Sequence, residues 1–266
     1  MIDLTFAGGV AEVVLNAPTK LNAVDRDALG ELSEAYTEAA AAGVRALLLR
    51  GEGRAFCAGR DISNVDAATD DVAGYLADLT ALMRQMDAFP APTFAIASGA
   101  CLGVGLGLLI ATDVVYVADT ARIGSPFANL GAILDSGGHP LFYERLGAHR
   151  TLDLMYTAEL MTGTEAVALG LFSRAVAEAD ILSFTRARVA RVAAGPAEAF
   201  MASKRLVQGL RDGVDPNGFG REGWDRGGFW EALAEESAAQ VALTTTPDYR
   251  EGFAAFREKR TPTFGA

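Results

Sequence analysis

The feature that most constrains this chain is a glycine-rich apolar segment at residues 96–113, with glycines at positions 99, 103, 105 and 107. Glycines in an apolar run allow another backbone or a ligand to approach closely, and they leave N–H groups free where a helix begins. Residues 93–98 have the composition of a buried strand, and Val114–Val117 that of a β-branched one. The pattern therefore predicts strand, tight turn, helix and strand in succession, with a turn that can hold an oxyanion.

The same alternation of strands and helices runs through the earlier part of the chain. Short strands flank the Gly8-Gly9 turn, and further elements are predicted at 25–42 (helix), 44–49 (strand) and 72–89 (helix). Later segments are mainly helical, at 139–146, 151–158, 164–169, 184–194, 197–210 and 230–244, with an edge strand at 174–176. We therefore predict an α/β core at residues 1–195 that holds the ligand site, and a C-terminal helical oligomerisation region at 196–266.

Composition narrows the classes of function. The 266 residues are 50% hydrophobic, so they can bury a substantial core, and their net charge of −11 argues against nucleic-acid or anionic-membrane binding. An anionic ligand would need a local basic patch. Cys57 and Cys101 do not have metal-binding spacing, so we expect no disulfide framework and no structural metal. No secretory signal begins the chain, which makes the cytoplasm the expected location.

Asp135 is the carboxylate on which the candidate chemistry depends. It follows the glycine turn and the next strand, and Phe127, Ile133 and Leu134 would give it apolar surroundings that raise its pKa. The same position suits a helix N-cap, so catalytic and capping roles both remain open. His139 either orients a carboxylate or moves a proton, or it only begins a helix.

Several motifs carry a resemblance to a known family. They are Lys20-Leu21-Asn22-Ala23, Ala55 to Asp61, Gly99 to Asp113, Gly163 to Gly170 and Tyr249 to Phe264. In this order they resemble the crotonase, or enoyl-CoA hydratase/isomerase, superfamily over nearly the whole chain. The resemblance implies a spiral of repeated ββα units with a C-terminal helical region, a homotrimer or dimer of trimers, and an acyl-CoA substrate. Coenzyme A would be carried as part of that substrate, and no separate cofactor is implied.

The resemblance also implies which residues contact the substrate. Its oxyanion hole corresponds to the backbone N–H groups of Arg60 and Val104, which would stabilise the negative charge that develops on a thioester oxygen. The implied CoA-binding residues are Lys20, Leu21, Ala58, Asp61, Phe256 and Lys259. Phe256 and Lys259 correspond to residues that a neighbouring subunit contributes.

Two departures from the family pattern bear on the reaction. Enoyl-CoA hydratases have catalytic glutamates where this chain has Gly107 and Phe127, and neither residue can activate water or deliver a proton. Asp135 lies where the phenylacetate-pathway isomerases, dienoyl-CoA isomerases and 4-chlorobenzoyl-CoA dehalogenases have an aspartate. The resemblance to the phenylacetate-pathway isomerases is strongest, so an enoyl-CoA isomerase with Asp135 as its acid and base is predicted.

Two other functions remain open from the sequence. In one, Asp135 attacks an aromatic acyl-CoA as the nucleophile of a dehalogenase or hydrolase. Gly107 and Phe127 favour this alternative, whereas Arg84, which stands where those relatives have a histidine, disfavours it. In the other, the protein is a CoA-binding paralogue without catalytic activity.

Overall fold

The computed structural model describes residues 1–63, 65–66, 68–211 and 229–263. The strands are β1 (Ile2–Ala7), β2 (Val10–Leu15), β3 (Ala46–Gly51), β4 (Thr93–Ala97), β5 (Ala100–Leu102), β6 (Val114–Ala118), β7 (Arg122–Gly124), β8 (Met161–Thr162) and β9 (Arg174–Val176). The helices are α1 (Arg26–Ala41), α2 (Val72–Asp87), α3 (Val104–Ile110), α4 (Gly138–Thr157), α5 (Gly163–Ala168), α6 (Ile181–Ala193), α7 (Ala197–Arg211), α8 (Phe229–Leu243) and α9 (Pro247–Glu258).

Two sheets arise from a repeated strand–strand–helix unit. The larger sheet has the order β1-β2-β3-β4-β6-β9 and is parallel except for the β1–β2 hairpin, and the smaller sheet has the order β5-β7-β8. The first unit contributes both of its strands, β1 and β2, to the larger sheet. The units that begin with β4 and β6 place their first strand in the larger sheet and their second, β5 and β7, in the smaller one. In the unit between β3 and α2, Cys57 takes the place of the second strand and pairs with Cys101. The predicted ββα repeat is therefore present.

The core lies between the larger sheet and the helices that cover it. Leu47, Leu48 and Leu49 of β3 are buried on both faces of the sheet, as expected for a central parallel strand. On α1 the apolar residues recur at helical spacing, and the Asp25 side chain caps the helix by accepting from the Ala28 N–H at 2.9 Å. In the described part of the chain, no helix combines the length and apolar character needed to span a membrane.

The C-terminal helices pack on this core. Lys204 of α7 lies 3.0 Å from an Asp113 carboxylate oxygen and donates to the Phe89 carbonyl at 3.0 Å. Helix α8 contacts α2 and α4, and α9 packs against the short 3-10 turn Pro126–Leu130. Helix α4 breaks at Gly147, where φ is +74°, which accounts for the two separate helices predicted there. Residues 212–228 and 264–266 of the predicted C-terminal region lie outside the described residues.

Candidate active site

A cavity of about 360 Å³ lies between the core and the C-terminal helices. Its wall is mainly aliphatic and aromatic, with Leu76, Phe127 and Phe253 among its members. Among the described residues that line it, Arg60 and Asp135 are the charged ones. Such a site excludes water from an apolar ligand while it keeps a carboxylate within reach.

Two backbone turns form part of the cavity wall and lie side by side. The Cys57 N–H donates to the Ala100 carbonyl and the Leu102 N–H donates to the Cys57 carbonyl, both at 3.0 Å. Gly59 has a φ of +106°, and a Cβ there would lie 3.2 Å from the Leu102 carbonyl oxygen. Glycine therefore allows the two turns to approach this closely.

Arg60 and Val104 present backbone N–H groups in these turns. Val24 fixes the first turn on both sides of Arg60: it donates to the Gly59 carbonyl and accepts from the Asp61 N–H, each at 2.9 Å. Val104 is the first residue of α3, where N–H groups have no acceptor within the helix. Within the described ranges neither N–H donates to a protein acceptor. Arg60 lines the cavity, whereas Val104 is buried directly after the lining residue Gly103.

Asp135 is a buried carboxylate in the same cavity wall, with 5% of its surface exposed. Burial raises the pKa of Asp135 to about 7. The Ser136 hydroxyl, which donates to Asp135 Oδ1 at 2.6 Å, opposes the rise, and the negative charge of Glu236 adds to it. The rise agrees with the apolar surroundings predicted from the sequence. A carboxyl with this pKa can both accept and return a proton near neutral pH.

The alternative role of Asp135 as a helix cap is wrong. Glu236 of α8 takes the N–H groups at the start of α4, because Gly137 N–H donates to its Oε2 at 2.7 Å and His139 N–H to its Oε1 at 2.5 Å. The His139 ring nitrogen Nδ1 also lies 2.8 Å from Glu236 Oε1. The Asp135 side chain therefore does not cap α4 and lines the cavity instead. The carboxylate that His139 contacts is Glu236.

Gly107 and Phe127, which stand in place of the hydratase glutamates, have packing roles. A Cβ at Gly107 would lie 2.4 Å from the Ser136 Cβ, so the bare backbone of α3 makes room for the turn that follows Asp135. The Phe127 ring lies over Gly103, where a Cβ would come within 3.1 Å of Cζ. The space that a glutamate would need at position 107 is thus occupied by the turn that carries Asp135.

The structure brings together the CoA-binding residues predicted in the first part of the chain. Ala58 N–H donates to the Leu21 carbonyl at 3.0 Å, and Lys20 Nζ lies 2.8 Å from Asp61 Oδ2. Buried Asn22 ties this segment to carbonyls of the loop after β3, at 2.8 and 2.9 Å. Leu21 and Ala58 line the cavity, whereas Lys20 and Asp61 form an ion pair beside it.

Phe256 and Lys259 lie at the end of α9. Phe256 lines the cavity of its own chain, because α9 folds back against the turn Pro126–Leu130, and about half of its side chain stays exposed. Lys259 is exposed, ends the helix with a φ of +54° and does not line the cavity. Phe256 thus lines the cavity of its own chain, and the contribution of Phe256 and Lys259 to a neighbouring subunit stays a prediction.

The residues at this site that sequence analysis missed include Glu236, Gln240, Tyr249 and Phe253 of the C-terminal helices. Gln240, Tyr249 and Phe253 line the cavity, and Glu236 binds the turn after Asp135. Tyr249 belongs to the C-terminal motif, which was a usable signal, but Glu236 binds an N–H 99 residues away and has no local signature. Residues of both predicted regions, 1–195 and 196–266, therefore line the cavity.

Cysteine chemistry and metal binding find no support in the described part of the chain. Cys57 and Cys101 are buried, and burial raises the pKa of the Cys57 thiol to about 12, so it is not a nucleophile. Among the described residues there is no cluster of three or more His, Cys, Asp or Glu side chains that could hold a metal ion. Arg84 is exposed on α2 and does not line the cavity.

Known proteins share both the sequence and the fold. Residues 5–266 match the family described as enoyl-CoA hydratase/isomerase. A probable enoyl-CoA hydratase of Rhodobacter capsulatus is 32% identical over 258 residues, which cover 96% of this chain and 94% of the relative. A putative enoyl-CoA hydratase/isomerase of Bacillus subtilis, YhaR, is 31% identical over 261 residues, which cover 97% of this chain and 96% of the relative.

A solved structure extends this similarity to three dimensions. The crystal structure of an enoyl-CoA hydratase from Mycobacterium avium subsp. paratuberculosis superposes with a TM-score of 0.84 at 26% identity, covering 100% of this chain and 98% of the other. The family match over almost the whole chain, the relatives above 30% identity and the shared fold all agree. The chain belongs to the enoyl-CoA hydratase/isomerase family of enzymes, within the crotonase superfamily.

Proposed function

We propose that the protein is an isomerase that shifts the double bond of an enoyl-CoA thioester, with Asp135 as its single acid and base. One observation carries the proposal: Asp135 is a buried carboxylate with a pKa near 7 in the wall of an apolar cavity that is also lined by Arg60 and by Gly103, the residue before Val104. A double-bond shift needs no more than these groups.

The first step breaks a C–H bond next to the thioester carbonyl. The carbonyl oxygen accepts hydrogen bonds from the N–H groups of Arg60 and Val104, and ionised Asp135 takes the proton from C2 of a 3-enoyl thioester. The electron pair of that bond spreads over a dienolate whose charge lies mainly on the carbonyl oxygen. Fixed donors in a water-poor cavity stabilise this charge without having to reorganise.

The second step returns the proton to a different carbon. Protonated Asp135 delivers it to C4, a double bond forms between C2 and C3, and the carboxylate is regenerated. The shuttle requires a group whose pKa lies close to the working pH, since it must be a good base in one step and a good acid in the next. Burial gives Asp135 this property.

Hydration is disfavoured although several relatives are named hydratases. Adding water across a double bond needs one group to activate the water and another to supply a proton. Gly107 has no side chain, and its neighbour Ser136 fills the space in front of it. Phe127 contributes only an aromatic ring to the cavity wall.

The segments Gly59-Arg60-Asp61, Leu134 to Gly138 and Pro247 to Gly252 favour an isomerase of the phenylacetate-pathway type. In this proposal the CoA moiety arrives as part of the substrate and lies along Lys20, Leu21, Ala58 and Asp61. The homotrimer or dimer of trimers and the cytoplasmic location also remain proposals from the sequence.

A product assay with separate thioesters tests the proposal. The purified protein is incubated with 3-hexenoyl-CoA, crotonyl-CoA and 4-chlorobenzoyl-CoA, and the products are separated by chromatography. We expect 2-hexenoyl-CoA from the first and no turnover of the other two. Hydration of crotonyl-CoA at a rate of about 1 per second or faster would refute the proposal.

The nucleophilic alternative gives a different signature. If Asp135 attacked the acyl group, a covalent intermediate would form on its carboxylate. The intact mass of the protein would then rise after brief mixing with 4-chlorobenzoyl-CoA. The isomerase needs no such adduct, so an unchanged mass during turnover of 3-hexenoyl-CoA is expected.

A further inference from the structure

Helix α8 binds the turn that carries Asp135 on both sides of that residue. On one side the Gln240 side chain accepts from the Ile133 N–H at 3.1 Å. On the other side Glu236, one helical turn earlier, accepts from the N–H groups of Gly137 and His139 at 2.7 and 2.5 Å. Both α8 side chains are buried, each with 5% of its surface exposed. The two contacts therefore fix the backbone before and after the carboxylate.

The turn needs such support because its backbone is unusual. Ser136 has a φ of +62° and Gly137 a φ of +79°, two successive left-handed conformations, and the first belongs to a residue with a side chain. Non-glycine residues in this region are strained and persist when their surroundings hold them. The bonds to Glu236 come from the second of these residues, Gly137, and from His139, where they fix the direction of the chain into α4.

The charges around Asp135 come from several elements. Glu236 of α8 is negative and shares its hydrogen bonds with His139 of α4, and Arg60, which lies in the same cavity wall, is positive. Arg60 is itself paired with Asp70 at 2.6 Å and stacks on the Tyr75 ring at 4.2 Å, so much of its charge is balanced. Tyr249 of α9, whose hydroxyl interacts electrostatically with Asp135, is a further titratable group near this carboxyl. The negative charge of Glu236 thus disfavours a second negative charge at Asp135.

We propose that Glu236 is a positioning residue for Asp135, because its carboxylate binds the strained turn that carries the catalytic carboxyl. Its negative charge adds to the effect of burial, which favours protonated Asp135. The inference rests on the proposed role of Asp135. It makes α8, a helix of the C-terminal region, part of the catalytic apparatus. Glu236 itself does not contact the reacting atoms and acts through Asp135.

Glu236→Gln tests the electrostatic part of this role. Glutamine removes the charge and keeps one oxygen, which can accept from one of the two N–H groups, whereas its NH₂ cannot accept from the other. The midpoint at which the Asp135 carboxyl titrates is measured by carbon-13 NMR on protein labelled at the aspartate carboxyl carbons, and Asp135→Asn identifies the resonance. We expect the midpoint to fall by about half a unit or more, because a like charge has been removed.

Two further variants complete the test. Glu144→Gln removes one negative charge from the exposed face of α4 and should leave both the midpoint and the turnover of 3-hexenoyl-CoA unchanged. Glu236→Asp keeps the charge but shortens the reach, so turnover should fall about tenfold or more while the midpoint stays high. This variant also keeps the test valid if the glutamine variant does not fold.

The outcomes distinguish the inference from the proposed function. The NMR midpoint needs no turnover, so it reports on Glu236 even if 3-hexenoyl-CoA is not a substrate. An Asp135 midpoint that is the same in Glu236→Gln and wild type would overturn the electrostatic role. Equal turnover of wild type and Glu236→Asp would overturn the positioning role.

Discussion

The two halves of the candidate site are held in different ways. The donor turns at Arg60 and Val104 are fixed by contacts between neighbouring ββα repeats, where Gly59 allows the close approach. The turn that carries Asp135 depends instead on α8 and on the absence of a side chain at Gly107. In the proposed mechanism, the half that stabilises negative charge therefore belongs to the core, whereas the half that moves the proton is completed by the C-terminal region.

The largest expected effect concerns the proton-moving half. Asp135→Asn keeps the size of the side chain but removes the base, so turnover of 3-hexenoyl-CoA should fall by about 10²–10⁴-fold. Binding of hexanoyl-CoA, which cannot isomerise, should stay close to wild type by calorimetry because the donors lie in the other half. A folded variant with near-normal turnover would place the base elsewhere.

A backbone change tests the donor half. Val104 is the first residue of α3, a position where proline is well tolerated, so Val104→Pro removes the N–H without breaking the helix. Turnover should fall by about 10²–10³-fold, the usual result of losing one oxyanion donor. Val104→Ala keeps the N–H and serves as the matched control. Equal turnover of the two variants would exclude this N–H from the mechanism.

Asp135→Asn should lower turnover but raise the free energy of unfolding. The pKa of Asp135 rises from 3.8 to about 7 on folding, so the wild type loses stability as pH increases through that window. Asparagine carries no such cost, and Asp135→Asn should exceed the wild type at pH 8 by on the order of 2–4 kcal/mol. At pH 4 the two proteins should be nearly alike. Urea unfolding at both pH values measures the difference, and a less stable variant at pH 8 would contradict the pKa.

The smallest effect concerns the packing between the two halves. Gly107→Ala places a Cβ 2.4 Å from the Ser136 Cβ and should lower the free energy of unfolding by about 1–3 kcal/mol. Gly30→Ala, on the exposed face of α1 with nothing within 4 Å, should instead raise it by about 0.5–1 kcal/mol. Urea midpoints of the two variants test this contrast, and equal midpoints would mean that Gly107 is not tightly packed.

The core half was the more predictable from sequence. Alternating strands and helices, the glycines at 99, 103, 105 and 107, and the caps follow local rules, because each depends on residues close together in the chain. Small shifts of element ends, such as β3 at 46–51 where 44–49 was predicted, come from the pairing of β3 with β2 and β4. Asp135 and its apolar surroundings could also be predicted from the sequence.

The other half was less predictable, because its contacts join distant parts of the chain. Asp135 before a helix suits a cap, and nothing near it shows that Glu236 already satisfies those N–H groups. The closing of the cavity by Gln240 and Tyr249 likewise depends on how α8 and α9 fold back. Local patterns give the elements, but the partner of a buried carboxylate is decided by tertiary packing.

The pH dependence of catalysis tests the central claim most directly. If buried Asp135 is the proton shuttle, kcat/KM for 3-hexenoyl-CoA should rise as pH increases through about 7, because the free enzyme must hold Asp135 ionised to take the first proton. The NMR titration of the Asp135 carboxyl should show the same midpoint. A profile that is flat from about pH 5.5 to 8.5, or a carboxyl that titrates near its ordinary value of 3.8, would contradict the account.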